Sequence, residues 1–256
     1  MEATIHRLRS GTRRTLRAFV PPGLVRPRRP SSLERAVPAL ALASLLLLAV
    51  AAGCGNAGDE DPSEAPNPLL RPGQFTETGP SRFSVRFETT AGDFVVEVHR
   101  EWAPVGADRF YNLVKAGYYD DTRVHRVVPG FMAQFGIHGD PYVNYVWRSA
   151  LLRDDPVVES NRRGRIAFAK AGPHTRSTEV FISTEDNAFL DEDGFAPFGE
   201  VVEGMEVVGA FHSGYGDGPP RGDGPYGAMA LARGNEYLDE EFPELTIVVR
   251  ATLVEP

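Results

Sequence analysis

The chain has 256 residues, and its 42% hydrophobic content, 26 glycines and 21 prolines predict a core connected by many turns and long loops. Its net charge of −8 combines a basic segment, residues 1–53 with nine arginines and two acids, with a remainder of 18 basic and 33 acidic groups. The acidic remainder argues against binding to a nucleic acid backbone. A single cysteine excludes intrachain disulfides and cysteine-based metal clusters.

Residues 1–53 have the layout of a secretory signal. The arginines come first, an uncharged and mostly apolar run from Ala36 to Gly53 follows, and an acidic, proline-rich stretch comes next. The run ends in Ala-Ala-Gly-Cys, which resembles a bacterial lipobox, the motif whose cysteine becomes the lipidated first residue of the mature protein. Because the only cysteine, Cys54, stands here, the sequence predicts an exported lipoprotein, anchored to a bacterial envelope membrane on the periplasmic side.

Two other outcomes stay open for the apolar run. Residues 36–53 just reach the thickness of a bilayer, so the run could remain uncut as a signal anchor. Cleavage after Ala51 would instead leave a soluble exported protein. Residues 54–81 are rich in Gly, Asp, Glu, Pro and Asn and contain too few apolar side chains to repay their ordering entropy. They therefore predict a flexible linker.

Residues 82–256 predict one folded domain with many short strands. Alternation of apolar and polar residues on both sides of Ala91-Gly92 indicates a β-hairpin with one buried face. Helices are expected over residues 104–117 and 204–212, and a short helix broken at Gly234 precedes the last strand. Further strands are expected at residues 124–128, 132–135, 164–169, 180–182 and 245–254. This pattern is typical of a β-barrel or sandwich capped by helices.

The run from His125 to Gln134 carries the most specific chemistry of the chain. It places the guanidinium of Arg126, the apolar side chains of Phe131 and Met132, and the amide of Gln134 on two predicted strands around a Pro-Gly bend. Such a patch can hold a proline ring in an apolar pocket while a fixed cation interacts with the peptide bond beside it.

Rotation of the X-Pro bond needs that combination and nothing more reactive. Amide resonance imposes a barrier of about 18–20 kcal/mol, so X-Pro bonds exchange over tens to hundreds of seconds. A hydrogen bond to the prolyl nitrogen favours its pyramidal form, which exists only when conjugation is lost. The run therefore predicts an isomerase that requires no cofactor. The six histidines are scattered along the sequence and predict no metal site.

The sequence resembles the cyclophilin-type peptidyl-prolyl isomerases over roughly residues 83–208. The run at residues 125–134 matches the most specific motif of the family. Further matches follow in the same order and spacing, at Ala169-Lys170-Ala171-Gly172-Pro173, Val180-Phe181-Ile182, Phe189-Leu190-Asp191 and Phe198-Gly199. The resemblance implies a mainly β fold, a closed eight-stranded antiparallel barrel with an α-helix at each end.

The resemblance also implies a role for each site residue. Arg126 would be the catalytic cation at the prolyl nitrogen, and Gln134 would hydrogen-bond the substrate backbone. The proline pocket and its neighbouring ledge would bind substrate through Phe131, Met132, Ala169, Lys170, Glu179, Phe181, Phe189, Leu190 and Phe195.

Four of these positions depart from the family pattern. Lys170 stands where the family commonly has Asn, Glu179 where it has Gln, Phe189 where many members have Trp, and Phe195 where many have His. A pair between Lys170 and Glu179 is expected to keep the ledge formed. These departures are expected to change substrate preference more than activity. Phe189 in place of Trp argues against tight binding of cyclosporin.

Three functions stay open at this point. The first is a monomeric isomerase that acts on proline-containing segments of exported proteins and assists their folding. The second is a non-catalytic chaperone or scaffold that captures proline-containing segments in the same groove. The third is a structural lipoprotein in which the groove is incidental. A rate measurement separates the first from the other two.

Overall fold

The structure is a computed structural model, and it describes residues 67–254. The predicted signal segment 1–53, the lipidation site Cys54 and the linker up to residue 66 lie outside the described residues. Across residues 67–254, no helix combines the length and the apolar character that a membrane crossing needs.

One antiparallel sheet dominates the described residues. Its strands are β1 (Arg82–Thr89), β2 (Gly92–His99), β3 (Thr122–Arg123), β4 (Arg126–Val128), β5 (Met132–Phe135), β6 (Arg165–Phe168), β7 (Val180–Ser183), β8 (Pro197–Glu203) and β9 (Ile247–Val254). They pair in the order β3-β9-β1-β2-β8-β6-β7-β5-β4. Two residues separate β3 from β4 along the chain, although these strands stand at opposite ends of the order. Because three Cα–Cα steps span at most about 11 Å, the sheet must curl back on itself.

The mainly β, cyclophilin-like architecture is confirmed, with one correction. The sheet has nine strands where eight were expected. Within residues 67–254 no ladder of hydrogen bonds joins β3 to β4, so the closed barrel is not confirmed. The strand predicted at residues 124–128 contains β4, whereas β3 has only two residues and is too short to appear as a separate element in the sequence pattern.

Helices are more numerous than the three that were predicted. They are α1 (Pro104–Lys115), α2 (Pro141–Trp147), α3 (Phe189–Glu192), α4 (Met205–Gly209), α5 (Gly227–Arg233) and α6 (Asn235–Glu241). Helices α1 and α4 are the predicted caps, and α5 and α6 meet at Gly234, as expected. Helix α2 was missed, although Asp140 provides a local start signal by accepting a hydrogen bond from the backbone N–H of Tyr142.

The main core lies between the curled sheet and α1. Phe87 and Phe94 stand opposite each other on β1 and β2, and their rings stack 4.8 Å apart. Phe110 of α1 lies 4.8 Å from Phe198 of β8, and all four side chains are buried. The alternating pattern of the hairpin and the apolar stripe of the first helix therefore face the core as predicted.

Residues 67–81 pack on the domain, although the sequence placed them in the flexible linker. Leu69 is buried in the main core, and its carbonyl accepts a 2.8 Å hydrogen bond from Nε1 of Trp147 on α2. Phe75 lies 5.5 Å from the same indole ring, and the backbone N–H of Gly79 donates to Asp108 at 2.9 Å. The start of the folded unit is thus corrected from residue 82 to residue 67, because two apolar side chains meet a helix that was not predicted.

Replacing Leu69 with alanine should lower the free energy of unfolding by roughly 2–4 kcal/mol, because truncation of a buried leucine leaves a cavity. The same change at the neighbouring Leu70, which is 40% exposed, should cost at most about 0.5 kcal/mol. Urea unfolding of the wild type and both variants measures the difference. Equal stabilities of the two variants would contradict the packing described here.

Candidate active site

The hairpin of β4 and β5 places the two predicted catalytic side chains together. Arg126 on β4 stands directly opposite Gln134 on β5, and residues 129–131 form the turn between the strands. Gly130 has a φ of +73°, a left-handed conformation that glycine adopts without strain. Because side chains alternate along a strand, Met132 points to the same face as Gln134. One tight turn therefore brings a cation, an amide and an apolar side chain to one surface.

These residues line a cavity of about 350 Å³. The cavity wall includes ten of the eleven predicted groove residues, namely Arg126, Phe131, Met132, Gln134, Ala169, Lys170, Glu179, Phe181, Leu190 and Phe195. It also includes four that were not predicted, which are Ala171, Thr175, Ser177 and Thr178. Phe189 is the exception. It is 59% exposed and its ring stacks on that of Phe131 at 5.9 Å, so it lies outside the cavity wall, and its contact with substrate stays a prediction.

The inner end of the cavity is an apolar cup. Met132, Phe181 and Leu190 are buried and form a small cluster separate from the main core. Phe131 and Phe195 pack against this cluster at the rim, and the ring of Phe195 meets that of Phe181 edge-on at 5.7 Å. The separation matters because cup residues that merged with the main core would leave no space for a ligand.

The guanidinium of Arg126 lies at the edge of this cup. Its Nη1 atom donates to Oε1 of Gln134 at 3.0 Å and lies 3.9 Å from the sulfur of Met132. Its Nε and Nη2 atoms donate to the two carboxylate oxygens of Asp217, at 2.7 and 3.3 Å. The cation is therefore fixed by partners on two sides, while the Nη1 edge faces the cup.

Asp217 is a site residue that sequence reasoning missed. It lies in the long loop over residues 213–226, which is 91 positions away from Arg126, and it also binds Arg221 at 2.7 Å. Partial burial raises the pKa of the Asp217 carboxyl, but the hydrogen bond from Arg126 and the charge of Arg221 outweigh burial and hold this pKa below its ordinary value of 3.8. No local pattern marks one acid among several in a Gly- and Pro-rich loop.

Glu179 extends the contacts of Arg126 to the other side of the cavity. Its Oε2 accepts a 2.8 Å hydrogen bond from Nε2 of Gln134 and lies 3.3 Å from Nε2 of His125. Burial alone would raise the pKa of the Glu179 carboxyl, but His125, Gln134 and the charge of Arg126 together lower it. The charged carboxylate fixes the amide of Gln134, with its oxygen toward Arg126 and its nitrogen toward Glu179.

The expected pair between Lys170 and Glu179 does not form. The ammonium of Lys170 instead lies 3.2 Å from Asp154 and 5.3 Å from the ring centre of Phe195. The ledge is held by backbone, because the N–H of Ala169 donates to the carbonyl of Glu179 at 2.9 Å. The expectation failed because each of the two charges has a closer partner. Lys170 lies next to Asp154, and Glu179 contacts His125 and Gln134.

Replacing Asp217 with asparagine should lower the free energy of unfolding by roughly 1–2 kcal/mol at neutral pH, because a charge-assisted hydrogen bond is lost. Since the folded-state pKa of Asp217 is depressed, its contribution is present above pH 3.8 and is lost as pH falls through the lower, folded value. Urea unfolding at neutral pH and near pH 3 should show the gap between wild type and variant shrinking.

The exposed Asp223 in the same loop provides the matched control. Its replacement by asparagine should leave the stability close to that of the wild type at both pH values. A gap between wild type and Asp217→Asn that stays constant with pH would contradict the ion pair.

Comparison with known proteins identifies the family of this chain. A sequence profile of the family "Cyclophilin type peptidyl-prolyl cis-trans isomerase/CLD" matches residues 84–225. Peptidyl-prolyl cis-trans isomerase A of Dickeya dadantii is 35% identical over 129 residues, which are 48% of this chain and 68% of that protein. Peptidyl-prolyl cis-trans isomerase B of Escherichia coli is 32% identical over 132 residues, which are 48% of this chain and 80% of that protein.

Solved structures support the fold. A crystal structure of a cyclophilin type peptidyl-prolyl cis-trans isomerase from Cryptosporidium parvum has a TM-score of 0.50 and 20% sequence identity, and it covers 68% of this chain and 99% of that chain. A crystal structure of the same protein in the presence of the dipeptide Ala-Pro gives a TM-score of 0.50 and 21% identity. With the profile matching more than half of the sequence, the chain belongs to the cyclophilin family and is a peptidyl-prolyl cis-trans isomerase.

Proposed function

We propose that this isomerase acts on X-Pro bonds of exported proteins and assists their folding, with Arg126 as its catalytic residue. One observation carries the assignment of the residue. The Nη1 atom of Arg126 carries two hydrogens; one is donated to Gln134, and the atom lies at contact distance from Met132, at the edge of the apolar cup. A donor with fixed direction therefore borders the place where a proline ring would lie.

The apolar cup would hold the proline ring. Its buried walls, Met132, Phe181 and Leu190, offer no hydrogen-bonding group that competes with the peptide bond. Ligand pockets in proteins enclose from about 300 Å³ upward, so a cavity of about 350 Å³ is adequate for one prolyl residue and its neighbouring amide. The rest of the polypeptide would remain outside, which agrees with a substrate that is a segment of a larger protein.

The guanidinium would act on the twisted bond. As conjugation is lost, the prolyl nitrogen gains a lone pair. The second N–H of Nη1, which donates to the weakly accepting sulfur of Met132 at 3.9 Å, can donate to this lone pair instead. A hydrogen bond from a charged donor contributes about 1.5–3 kcal/mol, which corresponds to roughly 10- to 150-fold in rate. The planar ground state has no such lone pair, so the contact stabilises the transition state selectively.

Gln134 and the ledge would hold the substrate backbone while the bond rotates. Glu179 fixes the amide of Gln134 on one side of the cavity. Ala169 and Lys170, which directly follow β6, border the other side, where backbone groups can meet an extended peptide. Holding one end of the X-Pro bond while the ring turns restricts the motion to the reaction coordinate.

An attachment to the membrane through Cys54 is supported by the sequence alone. The Ala-Ala-Gly-Cys motif follows an apolar run and contains the only cysteine of the chain. Residues 55–66 would separate the lipid from the start of the packed segment at Asn67. The enzyme would then work as a monomer on the periplasmic side of a bacterial envelope membrane, where newly exported chains arrive unfolded.

Non-catalytic capture of proline segments is the alternative that the sequence left open. The bidentate contact of Asp217 offsets part of the charge of Arg126, which favours binding over catalysis. The relatives named above are isomerases, and this favours catalysis. The two functions differ in one measurable respect, since capture alone would give affinity for proline peptides without faster exchange.

Replacing Arg126 with alanine should lower kcat/KM for a short X-Pro peptide by at least about tenfold, because the donor to the prolyl nitrogen is lost. Arg126→Lys should fall between wild type and alanine, since it keeps the charge without the fixed fork of donors. A protease-coupled assay or NMR exchange spectroscopy measures the rate. Replacement of the exposed Arg250 by alanine serves as the control and should leave the rate unchanged. Equal rates for wild type and Arg126→Ala would refute this mechanism.

Replacing Cys54 with serine should release the protein from the membrane fraction, because serine cannot form the thioether to the lipid. Fractionation of expressing cells and mass spectrometry of the mature N-terminus provide the measurement. Ser63→Ala, a change in the linker outside the motif, should leave the attachment unaffected. Membrane retention of Cys54→Ser would instead point to an uncut signal anchor.

A further inference from the structure

A second cluster of ionisable side chains lies outside the groove, on the paired strands β2 and β8. Glu97 and His99 are two positions apart on β2 and share one face of the sheet. Glu200 on β8 stands directly opposite Glu97 in the register. In the sequence, His99 is one of several scattered histidines, because Glu200 is about one hundred positions away and only the strand pairing brings it close.

The arrangement is unfavourable without a further positive charge. Two carboxylates that face each other across an antiparallel pair repel. Arg82 and Arg165 offset part of this charge, but Glu101 and Glu159 lie at the same cluster. Four carboxylates against two guanidinium groups leave two negative charges uncompensated when the imidazole is neutral. A divalent cation would balance that charge.

His99 provides an independent sign of a missing partner. The residue is only 6% exposed, and its Nε2 atom is buried without a hydrogen-bond partner. This atom points into the cluster, where it lies 3.0 Å from Oε1 of Glu97 and 3.7 Å from Oε1 of Glu200. Its imidazole ring is held in place by stacking on Trp102, with ring centres 4.0 Å apart. Buried polar atoms are normally satisfied, so a buried nitrogen aimed at two carboxylates requires an explanation.

The three donors have the spacing of a zinc site. Zinc bonds of about 2.0–2.2 Å to nitrogen and oxygen place tetrahedral donors about 3.4 Å apart. The distances from Nε2 of His99 to Glu97 and Glu200 lie on either side of this value, and all three donor atoms are within 4.8 Å of one another. Arg165 binds the second oxygen of Glu200 at 2.8 Å, a contact that can orient the carboxylate as outer partners do in known metal sites.

We infer that Glu97, His99 and Glu200 form a site for a divalent transition metal, with Zn²⁺ as its representative ion. The mixed imidazole and carboxylate set suits Zn²⁺ better than Ca²⁺ or Mg²⁺, which prefer oxygen donors alone. The two glutamates are partly exposed, so the ion can enter from solvent and keep water in its fourth position. The bound ion would join β2 to β8 and stabilise the fold.

Titration of the full chain with Zn²⁺ alone tests this inference. The wild type should bind Zn²⁺ saturably and change the fluorescence of Trp102, because the indole stacks on the ligating imidazole. At a free Zn²⁺ concentration about 100-fold above Kd, the Tm should rise by roughly 5–10 °C. Glu97→Gln, His99→Gln and Glu200→Gln should each weaken binding by at least about tenfold.

Two matched variants control for nonspecific effects. His212→Gln removes a histidine that lies 3.6 Å from a single glutamate, and Glu236→Gln removes an exposed acid that binds Arg233 outside this cluster. Both should bind Zn²⁺ as the wild type does. If His99→Gln fails to fold, the half-exposed Glu200→Gln decides the question. Absence of saturable binding by the wild type overturns the site, and so does unchanged affinity in Glu200→Gln, which would place the ion elsewhere in the protein.

Discussion

The bidentate contact between Arg126 and Asp217 holds a permanent charge at the edge of an apolar cup, and the geometry of the groove depends on it. A guanidinium that bordered Met132 without partners would turn toward water, since burial of an uncompensated charge is costly. Asp217 binds it on one side, and Gln134 binds it on the other. Glu179 in turn fixes Gln134. The donor that faces the cup is thus directed by a continuous chain of polar contacts.

The same chain limits how strongly the cation can act. Asp217 offsets part of the charge that would otherwise reach a substrate, and Glu179 adds a second negative group within the network. The network therefore fixes the direction of the Nη1 donor and, at the same time, weakens the electric field that Arg126 exerts on a substrate. A reaction with no ionic intermediate can still proceed with this partly offset charge, because the prolyl nitrogen needs a hydrogen bond and never a full proton.

Short-range features of the sequence predicted the groove well. Arg126, Met132 and Gln134 lie within nine positions around a single turn, so strand alternation alone places them on one face. Contacts between distant segments could not be derived in this way. Asp217 comes from a loop without a distinctive pattern, and the supposed pairing of Lys170 with Glu179 failed because Asp154 lies closer. Helix α2 escaped notice as well, and with it the reason why Leu69 is buried.

The three-residue turn at residues 129–131 constrains how this chain can diverge. Side chains on β4 and β5 alternate between the groove and the opposite face, so an inserted or deleted residue in the turn would shift the register by one. Such a shift would point the amide of Gln134 away from the groove and leave Arg126 facing the wrong neighbour. Gly130 itself has open space around it, so only its backbone conformation restricts the residue type. Length is therefore the invariant of this turn, whereas the loop that carries Asp217 can change its length at little cost.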